Sequence, residues 1–81
     1  MLDNLNKINN DLNKIKSILY NEGEYKFEKT IYILNGFIKF IEELKNNYEE
    51  IEVGSDDEYI INNILDKIKE TIDRLKEDIG I

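Results

Sequence analysis

The densest run of reactive side chains in the sequence is acidic, with six carboxylates in ten residues and no basic residue among them. These residues are Glu49, Glu50, Glu52, Asp56, Asp57 and Glu58. Such a run can contact a basic protein or imitate the phosphates of a nucleic acid. It lacks the alternate acids and the final bidentate glutamate of an EF-hand calcium loop. We therefore take the six residues as candidate partner-binding residues and predict no metal site and no cofactor.

The side chains needed for covalent or acid–base catalysis are either absent from the sequence or lack a partner group at a suitable spacing. The chain contains no histidine and no cysteine, which argues against a zinc site and rules out disulfides. The serine and threonine hydroxyls have no general base at a recognisable spacing, and carboxylates pair only as neighbours on helix surfaces. We therefore expect a protein that is not an enzyme.

One short segment keeps an enzymatic alternative open. Leu65-Asp66-Lys67-Ile68 is similar to the Leu-Asp core of the helical aspartyl-phosphate phosphatases of sporulation control. Asn62-Asn63 stand where that family has Ser-Gln. The resemblance implies a small helical phosphatase that depends on Asp66. Phosphate release from a phosphorylated response regulator, with Asp66→Ala as the control, tests this alternative.

The overall charge and composition exclude several classes of partner. The formal net charge of -7 repels nucleic acid and anionic lipid, so we expect neither direct DNA or RNA binding nor a membrane-surface helix. No apolar run approaches the roughly 20 residues of a transmembrane helix. A cytoplasmic location is the default expectation and agrees with the absence of cysteine. Isoleucine, asparagine and lysine dominate, and their AT-rich codons indicate a low-GC organism.

Two of the three segments that must position these groups carry a heptad-like seam typical of coiled coils, in which apolar residues alternate by three and four. In the first segment, with its helix over about residues 2–21, the seam consists of Met1, Leu5, Ile8, Leu12, Ile15 and Leu19, with Leu2 and Ile18 beside it. In residues 56–79 it consists of Ile61, Leu65, Ile68, Ile72, Leu75 and Ile79, with Ile60 and Ile64 beside it. Ser55 and Glu58 form a capping box at the start of this segment. The spacing predicts a helix in each segment.

Residues 25–51 hold the widest apolar surface of the chain. A main apolar stripe recurs at helical spacing along the segment, and a second row of Ile33, Phe37 and Phe40 runs beside it. A helix with two apolar rows needs cover from two directions, so we expect it to be the central element. The second row also predicts self-association into a dimer through these three residues, because a small chain gains by burying more apolar surface. The alternative is a monomer in which the first and third helices cover both rows.

Together the segments predict one domain over residues 1–81. Its fold is an all-α, up-down-up bundle of three antiparallel helices over about residues 2–21, 25–51 and 56–79. Asn35-Gly36 leaves an alternative open, because Asn-Gly is the strongest short hairpin signal and strand-forming residues flank it. That alternative is an α+β fold with a hairpin at Asn35-Gly36. We favour the helix because the main apolar stripe keeps its phase across the glycine.

The interpretation that fits these features best is a small acidic helical module that binds another protein and performs no catalysis. The alternative is an acidic inhibitor that imitates nucleic acid, as phage anti-defence proteins do. The first needs apolar residues such as Tyr32, Ile33 and Phe40 to stay exposed. The second needs carboxylates in a surface row without interleaved lysines.

Overall fold

The computed structural model describes residues 2–21 and 27–80 with their side chains, and residues 22–23 by their backbone. Over these residues the chain forms three α-helices and no strand. The helices are α1 (Leu2–Gly23), α2 (Glu28–Asn47) and α3 (Asp56–Ile79), and a 3-10 turn (Tyr48–Glu50) follows α2. The helices pack around a shared apolar core. The predicted all-α, up-down-up three-helix bundle is confirmed.

The core is built from the apolar seams that the spacing predicted. Its buried residues are Leu5, Ile8, Leu12, Ile15 and Leu19 of α1, Ile31, Leu34 and Ile41 of α2, and Leu65, Ile68 and Ile72 of α3. Helix α1 packs against both other helices, whereas the backbones of α2 and α3 hardly approach each other. The expectation that helix 2 is the central element is therefore wrong. The most completely buried seam belongs to α1, and part of the wide apolar surface of α2 stays uncovered.

Helix α3 is displaced along the bundle relative to α1. Asp11 Oδ2 and Lys76 Nζ lie 3.7 Å apart, so a residue near the middle of α1 faces the last turn of α3. The groove between the two helices is lined by Asn4, Lys7, Ile8 and Asp11 and by Lys69, Ile72, Asp73 and Lys76. The N-terminal half of α1 therefore lies along the C-terminal half of α3. The ion pair itself is partly exposed and contributes about 1 kcal/mol at most.

Helix α2 runs without interruption through Asn35 and Gly36. The α+β alternative with a hairpin at Asn35-Gly36 is therefore wrong. The turn preference of Asn-Gly is local, and burial of the apolar stripe on both sides of the glycine outweighs it. Gly36 is exposed, and a Cβ placed on it meets no atom within 4 Å. The glycine therefore does not mark a close approach of two helices within the chain.

We expect Gly36→Ala to raise the free energy of unfolding by up to about 1 kcal/mol. Alanine is the better helix former by about this amount, and the space around Gly36 accepts the added methyl group. Urea denaturation followed by circular dichroism measures the change. A clear loss of stability would show that residue 36 adopts a conformation that alanine resists.

The C-terminal end of α2 differs from the predicted end of helix 2 at residue 51. The α-helix stops at Asn47, and Ile51 is extended, with φ -84° and ψ 113°. The Asn47 side chain donates to the Glu43 carbonyl oxygen at 2.9 Å, and asparagine is a weak helix former. The acids that follow add negative charge at the negative end of the helix dipole. These local effects disfavour a longer helix, although apolar residues continue at the helical spacing beyond Asn47.

The other helix ends follow local backbone chemistry. Helix α1 continues to Gly23, two residues beyond the predicted end at residue 21. The predicted start of helix 2 at residue 25 lies outside the described residues. Gly80 ends α3 with a left-handed φ of 79°, and its N–H donates to the carbonyl oxygens of Lys76 and Glu77. Glycine reaches this conformation without strain, as a helix C-cap requires.

The start of α3 is the boundary that the sequence specifies most closely. Ser55 Oγ accepts from the Glu58 N–H at 3.2 Å and donates to the Glu52 carbonyl oxygen at 2.7 Å. Glu58 Oε2 accepts from the Gly54 N–H at 3.2 Å, not from the Ser55 N–H as in the usual capping box. The Ser55 N–H already donates to the Glu52 carbonyl oxygen. The glutamate therefore takes the neighbouring donor.

Ser55→Ala should lower the free energy of unfolding by about 1 kcal/mol, as for other lost N-caps. The reason is that the variant loses both hydrogen bonds of the Ser55 hydroxyl at the start of α3. Ser17→Ala is the matched control, because Ser17 is exposed within α1 and alanine is the better helix former there. Thermal melts of both variants measure the difference. Equal midpoints would mean that the hydroxyl of Ser55 does not stabilise α3.

Candidate functional site

The net charge of the protein comes from one segment, residues 42–58. The segment holds eight carboxylates and one lysine, a balance of -7, and the rest of the chain holds ten acidic and ten basic residues. It comprises the last turns of α2, the connection and the first turn of α3. One end of the bundle, which we call the acidic end (residues 42–58), therefore carries the whole excess of negative charge.

The six predicted partner-binding residues lie in three adjacent local structures of the acidic end. Glu49 and Glu50 are in the 3-10 turn, Glu52 is in the connection, and Asp56, Asp57 and Glu58 are in the first turn of α3. Five of them are exposed, and Glu58 is half-buried. Because Glu58 bonds the Gly54 N–H, it has a role in folding, and the other five are open to a partner.

Glu49 also acts on its neighbour Tyr48. The negative charge of Glu49 disfavours the phenolate, and the Tyr48 hydroxyl donates a hydrogen bond to Glu49 Oε1 at 3.3 Å. Both effects raise the pKa of Tyr48 above its ordinary value. Tyr48 therefore remains a neutral hydrogen-bond donor to a higher pH than an ordinary tyrosine does.

A groove of about 310 Å³ opens between the end of α2 and the start of α3. It is lined by Asn47, Glu50, Ile51, Asp57, Ile60 and Ile61. Ile51 and Ile61 are half-buried, and Glu50 and Asp57 are exposed. We call these six residues the acidic groove. It joins an apolar surface to carboxylates, which is a combination suited to a partner with aliphatic and basic side chains.

Ile60 and Ile64 extend this apolar surface along α3. Ile60 is 53% exposed and Ile64 is 40% exposed, and a spacing of four residues puts both on one face of the helix. That face is turned away from α1, because α3 faces α1 with Lys69 and Asp73. From the sequence, these two isoleucines were predicted only to lie beside the apolar seam of the third helix. Their position off the seam and next to the acidic run was the signal that could have marked them.

No protein-family model, curated protein or solved structure matches the chain. In the described part of the chain, no three side chains of ligand type converge on a possible metal position. None of the helices described combines the length and hydropathy that a membrane span requires.

The residue behind the phosphatase alternative, Asp66, lies on the exposed surface of α3. It makes no hydrogen bond or ion pair with any residue that the structure describes. Its neighbour Leu65 is buried in the core, so packing explains the leucine of the Leu-Asp pair. Asn62 and Asn63 are also exposed. The fold therefore gives Asp66 no hydrogen-bond or ion-pair partner among the described residues.

The predicted self-association residues differ in how open they are. Ile33 is 51% exposed, whereas Phe37 and Phe40 are half-buried and pack against the core. Tyr32, next to Ile33, is 80% exposed. The apolar part of α2 that remains available to another molecule is therefore centred on Tyr32 and Ile33, far along the helix from the acidic end.

Self-association through α2 stays a prediction. We expect sedimentation equilibrium to show a dimer for the wild type and a monomer for Ile33→Glu, because a two-fold interface would bury two unpaired carboxylates. Tyr59→Glu is the control, since Tyr59 is exposed on α3 and should leave the dimer intact. A monomeric wild type, or a dimeric Ile33→Glu protein, would remove α2 from the interface.

Proposed function

We propose that the protein is a non-catalytic module that binds another protein through the acidic groove. The observation that supports this most directly is the exposed Ile60, which lines the groove with the carboxylates Glu50 and Asp57, together with the exposed Ile64 one turn further along α3. Large apolar side chains left open within a polar surround are typical of protein interaction sites. Burial of the isoleucines contributes to affinity, and the charge of the carboxylates selects the partner.

The apolar surface at the groove supplies part of the binding free energy. Full burial of an isoleucine side chain gives about 1.5–3 kcal/mol. Ile60 and Ile64 keep about half of their surface exposed, so each offers on the order of 1 kcal/mol to a partner. Together they offer about 2 kcal/mol, so the charged groups and further contacts of the partner must supply the rest of the affinity.

Capture from a lysate of the source organism tests the proposal. The immobilised wild type should retain at least one protein that Ile60→Glu loses, because the new carboxylate interrupts the apolar surface. Tyr20→Glu is the matched control, since Tyr20 is 43% exposed but lies near the C-terminal end of α1, outside both the acidic groove and the predicted dimer interface. Retention of the same proteins by all three chains would contradict binding at the acidic groove.

A second candidate function, an inhibitor that imitates nucleic acid, is favoured by the concentration of charge. Eight carboxylates share residues 42–58 with a single base, Lys45. A mimic would bind a DNA- or RNA-binding protein through ionic contacts alone. Its partner should therefore be displaced by duplex DNA and should still bind Ile60→Glu. A partner that resists DNA competition and needs Ile60 would exclude this function.

A further inference from the structure

The acidic groove specifies the chemistry of its occupant. We propose that it receives a basic amphipathic helix of another protein. Aliphatic side chains of that helix would lie on Ile51, Ile60 and Ile61, and its lysines or arginines would meet Glu50 and Asp57. This inference rests on the proposed function and names the partner of the same site.

The shape of the apolar surface matches a helix. Ile60 and Ile64, four residues apart on α3, form a short ridge that a second helix can pack against with its own residues at the same spacing. Ile51 stands on the opposite wall of the groove, after the end of α2. An amphipathic helix that docks in a groove uses anchors of this kind, spaced one turn apart.

The charge of the groove decides which helix fits. Glu50 and Asp57 line the groove itself, and the acidic end around it has a net charge of -7. An acidic or nucleic-acid occupant is repelled by this charge. A second copy docked with the two acidic ends together would bring both excess charges into contact. A basic occupant gains from the same charge that excludes the others.

Two synthetic probes test the proposal. One is a peptide of about 18 residues, or five helical turns, with leucine on one face and lysine on the other. The second has glutamate in place of every lysine. Each carries a single tryptophan, whose fluorescence reports binding without background because the protein contains no tryptophan. We expect the lysine probe to bind the wild type and the glutamate probe not to bind.

The decisive variant is Ile60→Asp, which adds a carboxylate to the groove. Binding driven by charge alone would become tighter. Docking on the isoleucines should weaken about tenfold or more, because the new carboxylate would lie against the aliphatic side chains of the probe. Ile60 is 53% exposed, so the fold should tolerate the change, and circular dichroism checks this. Unchanged or tighter binding by Ile60→Asp overturns the proposal.

A matched pair of double variants separates the groove from the overall charge. Glu50→Gln with Asp57→Asn removes two charges from the groove, and Glu28→Gln with Glu77→Gln removes two from exposed positions elsewhere. We expect the first pair to weaken binding of the lysine probe about fivefold and the second to have little effect. Equal effects of the two pairs, or equal binding of both probes, overturn the proposal.

Failure of this inference is distinguishable from failure of the proposed function. If neither probe binds but a lysate protein is captured in an Ile60-dependent way, the partner chemistry is wrong and the binding module stands. If sedimentation shows that the wild type self-associates and Ile60→Asp does not, the occupant is a second copy, and a basic helix is excluded as the proposed partner.

Discussion

Ile15→Ala should lower the free energy of unfolding by about 2–5 kcal/mol. Ile15 lies near the middle of α1 with 0% of its side chain exposed, and α1 is the helix that packs against both others. Removing its outer carbons leaves a cavity that neither α2 nor α3 can fill without moving. A small domain has only about 5–15 kcal/mol of stability in total, so the variant should melt about 10 °C lower or more.

The matched control is Ile60→Ala, the same substitution in the interior of α3 at an exposed position. Both substitutions replace isoleucine by the better helix former, so the difference between them isolates burial. Because about half of the Ile60 side chain is covered, the control should lower the free energy of unfolding by about 1 kcal/mol or less. Urea denaturation curves of the two variants measure both values. Similar losses at positions 15 and 60 would contradict the assignment of α1 as the most buried helix.

Gly36→Pro should destabilise the protein by about 3 kcal/mol or more. In a continuous helix the N–H of residue 36 bonds the carbonyl oxygen four residues earlier, and proline removes this bond while its ring clashes with the preceding turn. A Cβ at this position meets no other side chain. The whole effect therefore comes from the backbone of α2.

Position 36 contains its own control, because alanine and proline act there in opposite directions. Gly36→Ala should stabilise and Gly36→Pro should destabilise, and the two midpoints in a urea titration should bracket that of the wild type. At the urea concentration of the wild-type midpoint, circular dichroism should show less helix for Gly36→Pro than for the wild type. A proline variant as stable as the wild type would place a bend or turn at residue 36.

Periodic spacing was enough to predict the helices because burial in a bundle repeats at the helical period. The seam residues from Leu5 to Leu19 and from Leu65 to Ile72 are buried as expected. The start of α3 was also predictable, since the hydrogen bonds of Ser55 and Glu58 involve residues close in sequence. Such features depend on local chemistry that a single sequence displays.

Features that depend on distant parts of the chain were not predictable. Which apolar row of α2 is covered depends on how α3 lies along the bundle, and no local signal sets that displacement. The acidic groove forms because the connection after α2 brings Ile51 beside Ile60 and Ile61. The end of α2 was not predictable from the apolar pattern for another reason. Apolar residues continue at the helical spacing after Asn47, whereas Asn47 and the acidic residues that follow it disfavour continuation of the helix.

The uneven distribution of charge makes the molecule an electric dipole along its 41 Å axis. With the excess of seven negative charges at one end, the field turns an approaching cation toward that end before any contact forms. The field reaches about 30 Å at 0.01 M salt but only about 8 Å at 0.15 M. Added salt should therefore slow association with a basic partner steeply. Dissociation, which requires the isoleucines to separate from their contacts, should change much less.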